Sequence, residues 1–267
     1  MAPRPLIDVM IDLALAAGAK AAEIYASDFD ADVKGDGSPV TQADRLGEEI
    51  ITRGLQAAAP EIPILAEEAA SDGDIPELGA RFFLVDPLDG TKEFLKRTGE
   101  FTVNIALIED GVPTQGVVYA PACEKLYYGV AGDGAYLQLI APGAARADAP
   151  APARITVRPA PTDGRVAVAS RSHRSPETEA FLARIGAADF TPAGSSLKFC
   201  LVAEGAADVY PRLGRTMEWD TGAAQAVLEA AGGAVFALDG DQEIGPLRYN
   251  KKERGYDNPH FVAWGAR

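Results

Sequence analysis

The chain reads as an α+β half followed by an α/β half. Three observations carry this. Two segments of helical periodicity open the chain; a run of short β-like segments with glycine at most turns follows; and beyond residue 150 strand and helix patterns alternate. Residues 6–26 place Leu6, Val9, Met10, Leu13 and Ala17 on one helical face. After the loop 34–39 (Lys-Gly-Asp-Gly-Ser-Pro), a second helix is expected from near Thr41 to Pro60, with Leu46, Ile50 and Leu55 at helical spacing. Strands are expected at 62–65, ending in Glu67-Glu68, and at 81–85, ending in Asp86. A meander follows at 101–108, 114–119, 126–130 and 135–139.

Residues 141–153 are almost all small residues or proline, a composition that suits a boundary, and equally a long surface loop within one body. A division into 1–150 and 151–267 is the expectation. The second half predicts strands at 166–169 and 207–210. Helices are expected at 176–185, led by Ser175-Pro176, at 195–203, and at 220–231, the last stopped by Gly232-Gly233. Strands at 234–238 and 261–264 complete it, and no internal repeat is visible.

Composition excludes several function classes. Of the 267 residues 47% are hydrophobic and 24% charged, ordinary for a globular chain. No apolar run approaches the roughly 20 residues that span a bilayer, and Asp8 and Asp12 interrupt the apolar N-terminus where an export signal would be unbroken, so a cytoplasmic location is expected. A net charge of −14 argues against nucleic-acid binding and against attraction to anionic lipid. It leaves open loose association with the inner membrane. A small anionic substrate would need cations to offset the acid, although acidity also simply favours solubility. Cys123 and Cys200 sit in apolar surroundings, and His173 and His260 are the two histidines. A zinc site of His and Cys does not fit this supply, so a metal here must be held by oxygen.

Four segments carry candidate chemistry. In Asp86-Pro87-Leu88-Asp89-Gly90-Thr91 a buried strand delivers Asp86, proline stiffens its exit, and Gly90 permits a tight turn. Asp86, Asp89 and the Leu88 carbonyl can then face one point, a hard-oxygen array suited to octahedral Mg²⁺. Taken alone this is as readily an Asx/Gly turn. Glu67, at the end of another apolar strand, could lie beside Asp86; alone it is a solvated strand end. Asp220 sits where a helix begins, which suits an N-cap as well as a second metal. Asp44, three residues after Thr41, fits a capping box, and alternatively could accept a hydrogen bond from a hydroxyl such as Thr91. Together the carboxylates form a repulsive cluster unless cations intervene, as in two-metal phosphoester chemistry.

Asp-Pro-Leu-Asp-Gly-Thr with an upstream Glu-Glu and a later Trp-Asp-x-x-x-Ala resembles the lithium-sensitive inositol monophosphatase superfamily over nearly the whole chain. Segments 36–41, 92–94, 99–107, 170–173 and 194–200 are similar, more closely, to the bacterial 3′(2′),5′-bisphosphate nucleotidases, which remove the 3′-phosphate of 3′-phosphoadenosine 5′-phosphate, a by-product of sulfate assimilation. The resemblance implies a layered αβαβα sandwich. It implies one metal on Glu67, Asp86 and the Leu88 carbonyl and a second on Asp86, Asp89 and Asp220, with two or three Mg²⁺ per site. Asp44, Glu67 and Thr91 are then the catalytic group, with Asp44 and Thr91 activating water. Gly90 and Thr91 match the backbone that holds the scissile phosphate, Asp89 and Asp220 also count among the substrate-binding residues, Ser195, Lys198 and Arg212 meet a 5′-phosphate, and His173 lies near the adenine. The local alternatives are that Ser195 caps a helix and Lys198 is a solvated charge.

The expected partner is thus a small bisphosphate nucleotide, in a monomer or homodimer. An inositol monophosphatase or other sugar-phosphate phosphatase is the alternative, and a non-catalytic nucleotide or metal sensor a third.

Overall fold

The helical period at the start of the chain is realised as α1 (Leu6–Tyr25) in the computed structural model, which describes residues 4–35, 39–169 and 176–267. A ribbon of β1 (Ala31–Val33) and β2 (Pro39–Thr41) leads into α2 (Gln42–Ala58), which Thr41 and Asp44 start with a capping box. Then come β3 (Ile64–Ala66), α3 (Glu67–Ser71), β4 (Arg81–Asp89) and α4 (Thr91–Leu95). The predicted meander is β5 (Thr102–Glu109), β6 (Val112–Ala120), β7 (Lys125–Val130) and β8 (Gly134–Leu139). Past the proline-rich stretch, β9 (Ala153–Ile155) pairs with β8 and completes a seven-stranded sheet in the order β3-β4-β5-β6-β7-β8-β9.

The second half contains β10 (Arg165–Ala169), α5 (Pro176–Arg184), β11 (Ala187–Pro192), α6 (Leu197–Ala203), β12 (Val209–Arg212), α7 (Glu218–Ala230), β13 (Ala234–Asp239), β14 (Gln242–Pro246) and β15 (Phe261–Trp264). Its six-stranded sheet runs β11-β10-β12-β15-β13-β14.

Alternation along the strands sets the layers. Phe83, Val85, Val103, Ile105 and Val117 face Met10, Ile11, Ile51 and Leu55 of α1 and α2. Their neighbours Phe82, Leu84, Ala106 and Val118 face the other way, into a cluster with Phe199 of α6, Val227 of α7, and Tyr210 and Phe261 of the second sheet. On that sheet's far face Ala167, Val209 and Val262 cover Phe181 and Leu182 of α5. The stack is the expected αβαβα sandwich. Each large side chain fully buried in it contributes about 1.5–3 kcal/mol. Helix α7 lies directly on the first sheet at Gly116 and Gly129, which are paired across β6 and β7; a Cβ at Gly116 would stand 2.1 Å from the Ala223 carbonyl oxygen. Among the described residues no helix is long and apolar enough to cross a membrane.

Three local expectations need correction. The strand expected to end at Val85 continues to Asp89, with its register against β5 broken between Asp86 and Asp89, where Pro87 has no N–H to give the ladder. The helix expected from Ser195 starts at Leu197, because Ser195 adopts φ +45° and cannot belong to it. Asp220 is the third residue of α7, not its cap. Strands β11 and β14 escaped the sequence reading because neither shows the apolar alternation of a half-buried strand.

Candidate active site

Five segments deliver acids or hydroxyls to one place, four of them in the first turn of a helix: Asp44 in α2, Glu67 in α3, Thr91 in α4 and Asp220 in α7, with Asp86 and Asp89 from β4. Helix starts favour negative groups, which lowers the cost of gathering them. Carboxylate oxygens of Glu67, Asp86 and Asp220 lie within 4.8 Å of one another. Asp86 Oδ1 accepts from the Leu88 N–H at 3.0 Å, and Asp220 Oδ2 from the Met217 N–H at 2.8 Å. Burial, joined by the neighbouring acids, pushes the Asp86 and Asp220 carboxyls well above the usual range. Asp89 is also raised by burial, against the pull of Lys198 and the Ser196 hydroxyl, whose Oγ lies 2.9 Å from Asp89 Oδ2 and 2.7 Å from the Asp220 carbonyl. Asn104 Nδ2 donates to that Oγ at 3.0 Å.

Asp44 is the third residue of α2 and is buried. Its Oδ2 accepts from the Thr41 N–H and Oγ1–H, both at 2.7 Å, and its Oδ1 accepts from Thr91 Oγ1 at 3.1 Å. The capping box and the hydroxyl partner, weighed as alternatives from sequence, are both realised by one carboxylate. The Leu88 carbonyl lies 3.3 Å from the same Thr91 hydroxyl. Burial raises the Asp44 pKa, while its Thr41 bonds resist this.

Two charged residues of the site were missed from sequence. Lys34 Nζ bridges Glu67 Oε1 at 2.7 Å and Glu68 Oε1 at 2.6 Å. Burial opposes its charge, but the two glutamates outweigh that and raise its pKa. Glu48 accepts from the backbone N–H groups of Glu68 and Ala69, at 2.7 and 2.9 Å. Glu48 carried one faint signal: it follows Asp44 by one helical turn and so shares its face. Lys34 carried none, because its partners come from a distant segment.

Asp89, Gly90, Ser195, Lys198, Arg212 and Asp220 line a single cleft, together with Lys92, from the segment 92–94 that carries the resemblance, and with Tyr210 and Thr216, which the sequence did not single out. Gly90 takes φ +95°, as the tight turn requires. Ser195 Oγ accepts from Thr102 Oγ1 at 3.3 Å, so it does not cap α6. Lys198 is not a solvated surface charge. It is buried, and that burial, with Arg212 nearby, lowers its pKa to about 8 against the pull of Asp89. Arg212 Nε is buried with no hydrogen-bond partner among the described residues. His173, expected near the base, lies outside the described residues.

A divalent cation fits this donor set. Each of the three carboxylates offers a hard oxygen, and together they carry more negative charge than the Lys34 ammonium beside them can offset.

The model for the inositol monophosphatase family matches residues 2–261. The chain is 42% identical over 258 residues to the 3′(2′),5′-bisphosphate nucleotidase CysQ of Escherichia coli O157:H7, covering 96% of this chain and 98% of that one. It is 39% identical to the protein of that name from Buchnera aphidicola, covering 97% of this chain and 94% of that one. Among solved structures, CysQ from Bacteroides thetaiotaomicron superposes with a TM-score of 0.80 at 41% identity, over 98% and 97% of the two chains. An inositol monophosphatase from Anabaena superposes at 0.71 with 25% identity, over 98% of this chain and 90% of that one.

Proposed function

The chain belongs to the inositol monophosphatase family, and we propose that within it the protein is a metal-dependent 3′(2′),5′-bisphosphate nucleotidase, an enzyme that hydrolyses the 3′-phosphate of 3′-phosphoadenosine 5′-phosphate. The observation that carries this reading is one cleft in which Asp89 and Asp220, the latter shared with the Glu67–Asp86 carboxylate cluster, stand with the cations Lys198 and Arg212. A monophosphate of a neutral polyol needs the carboxylates. A bisphosphate needs the cations as well.

Glu67, Asp86 and the Leu88 carbonyl would hold one Mg²⁺, and Asp86, Asp89 and Asp220 a second. When bound, such ions lower the pKa of water and neutralise charge on the transferring phosphoryl group. The remaining chemistry belongs to side chains. Asp44 keeps Oδ1 turned to Thr91 because Thr41 occupies Oδ2. Thr91 Oγ1 can therefore take a proton from water while passing its own to Asp44, so the carboxylate acts as base through the hydroxyl. The water oxygen attacks phosphorus, the bond to the 3′-oxygen breaks, and solvent protonates the departing alkoxide. Gly90 and Thr91 offer backbone N–H groups to the phosphoryl oxygens at the head of α4, and Ser195, Lys198 and Arg212 fix the second phosphate.

The test is phosphate release from 3′-phosphoadenosine 5′-phosphate in Mg²⁺, with EDTA expected to abolish it. Undiminished release after chelation would overturn the reading.

A further inference from the structure

Helix α2 presents two acids one turn apart. Asp44 reaches Thr91, and Glu48, buried, directs both carboxylate oxygens at the backbone N–H groups of Glu68 and Ala69. These are the second and third residues of α3, whose first residue is Glu67. Ala66, just before α3, has no side-chain oxygen to cap it, so Glu48 supplies from another helix what a serine or aspartate would ordinarily supply locally. The same face of α2 rests on the Asp86–Asp89 segment: a Cβ at Gly47 would stand 3.2 Å from Pro87 Cβ. A carboxylate is dear to bury, and one serving only to start a five-residue helix contributes little to the core. What it fixes is the backbone that aims Glu67.

We propose that Glu48 is a positioning residue for Glu67, and that α2, through Asp44 and Glu48, holds the proton acceptor and the Glu67 carboxylate in one rigid frame. This rests on the reading of Glu67 as a metal ligand. Loss of an interaction that orients a ligand costs about ten- to a hundredfold in metal affinity.

The test is Mn²⁺ binding, followed by electron paramagnetic resonance without substrate, in the wild type, Glu48→Ala, Glu48→Gln and Glu67→Gln. Glu48→Ala should weaken one Mn²⁺ site at least tenfold, the same site that Glu67→Gln loses. Glu48→Gln, which keeps one acceptor oxygen, should fall between Glu48→Ala and wild type, and it keeps the test decisive if the alanine variant does not fold. Wild-type Mn²⁺ affinity in the Glu48 variants, with binding lost in Glu67→Gln, overturns the positioning role alone. Unchanged binding in Glu67→Gln overturns the ligand assignment, and this inference with it.

Discussion

The site has an acidic end, where Glu67, Asp86 and Asp220 cluster beside Asp89 and crowd negative charge, and a basic end, where Lys198 and Arg212 line the cleft that Asp89 and Asp220 also line. Burial moves both ends toward neutrality, from opposite sides: the carboxyls upward, the Lys198 ammonium down to about 8. The contrast teaches that each end costs the fold stability unless opposite charge meets it, which under the proposed function the ligands would supply. The two ends differ in kind, however. Helix starts and a strand fix the acidic end, which under the proposed function would serve any phosphomonoester of this chemistry. The basic end, on α6 and β12, would under the proposed function select a substrate with a second anion.

The largest expected effect comes from breaking the acidic end. Asp89→Asn keeps the shape of the side chain and its contact with Ser196 but removes a ligand charge. Turnover should fall by about 10³-fold, the scale of losing a preorganised electrostatic contact. Without added metal the variant should melt no lower than wild type, since one repelling charge is gone; steady-state kinetics and a thermal melt check both halves.

A smaller effect sharpens the same contrast through pH. The pKa values of Asp44, Glu67, Asp86, Asp89 and Asp220 are raised by folding. Their stability contribution is therefore present below the ordinary carboxylate range near pH 4 and is lost as pH rises through the raised values. In EDTA, this group of residues should make the protein melt lower at pH 7.5 than at pH 5.5. Added Mg²⁺ should raise the melting temperature by about 4–8 °C at pH 7.5, and by less at pH 5.5. Calorimetry at the two pH values, with and without Mg²⁺, measures it.

The two ends also differ in how far they can be read from residues alone. Asp86 to Thr91 is legible because its constraints are local: a buried strand, a proline at the ladder's break, a glycine at φ +95° and a hydroxyl in the next turn. Asp44 and Asp220 are legible by position but ambiguous in role, because an acid in the first turn of a helix is useful to the helix itself. The layered fold follows from alternation in β4 to β8, which bury both faces. The contacts of Lys34, Ser196 and Asn104 were not legible, and Glu48 showed only that it shares a helix face with Asp44. Each acts on a segment far away in the chain, and no local pattern encodes which backbone N–H or carboxylate it will meet. Lys198 was named through resemblance, but its burial, which gives it its strength, appears only when α6 packs against β12.

The central claim is that the acidic end performs the hydrolysis and the basic end chooses the bisphosphate. Comparing kcat/KM for 3′-phosphoadenosine 5′-phosphate and for inositol 1-phosphate, in wild type and Lys198→Ala, tests it most directly. The account predicts a loss of about a hundredfold for the nucleotide, the scale of removing a buried charge partner, and a change within about threefold for the inositol phosphate. Equal losses for both substrates would contradict it.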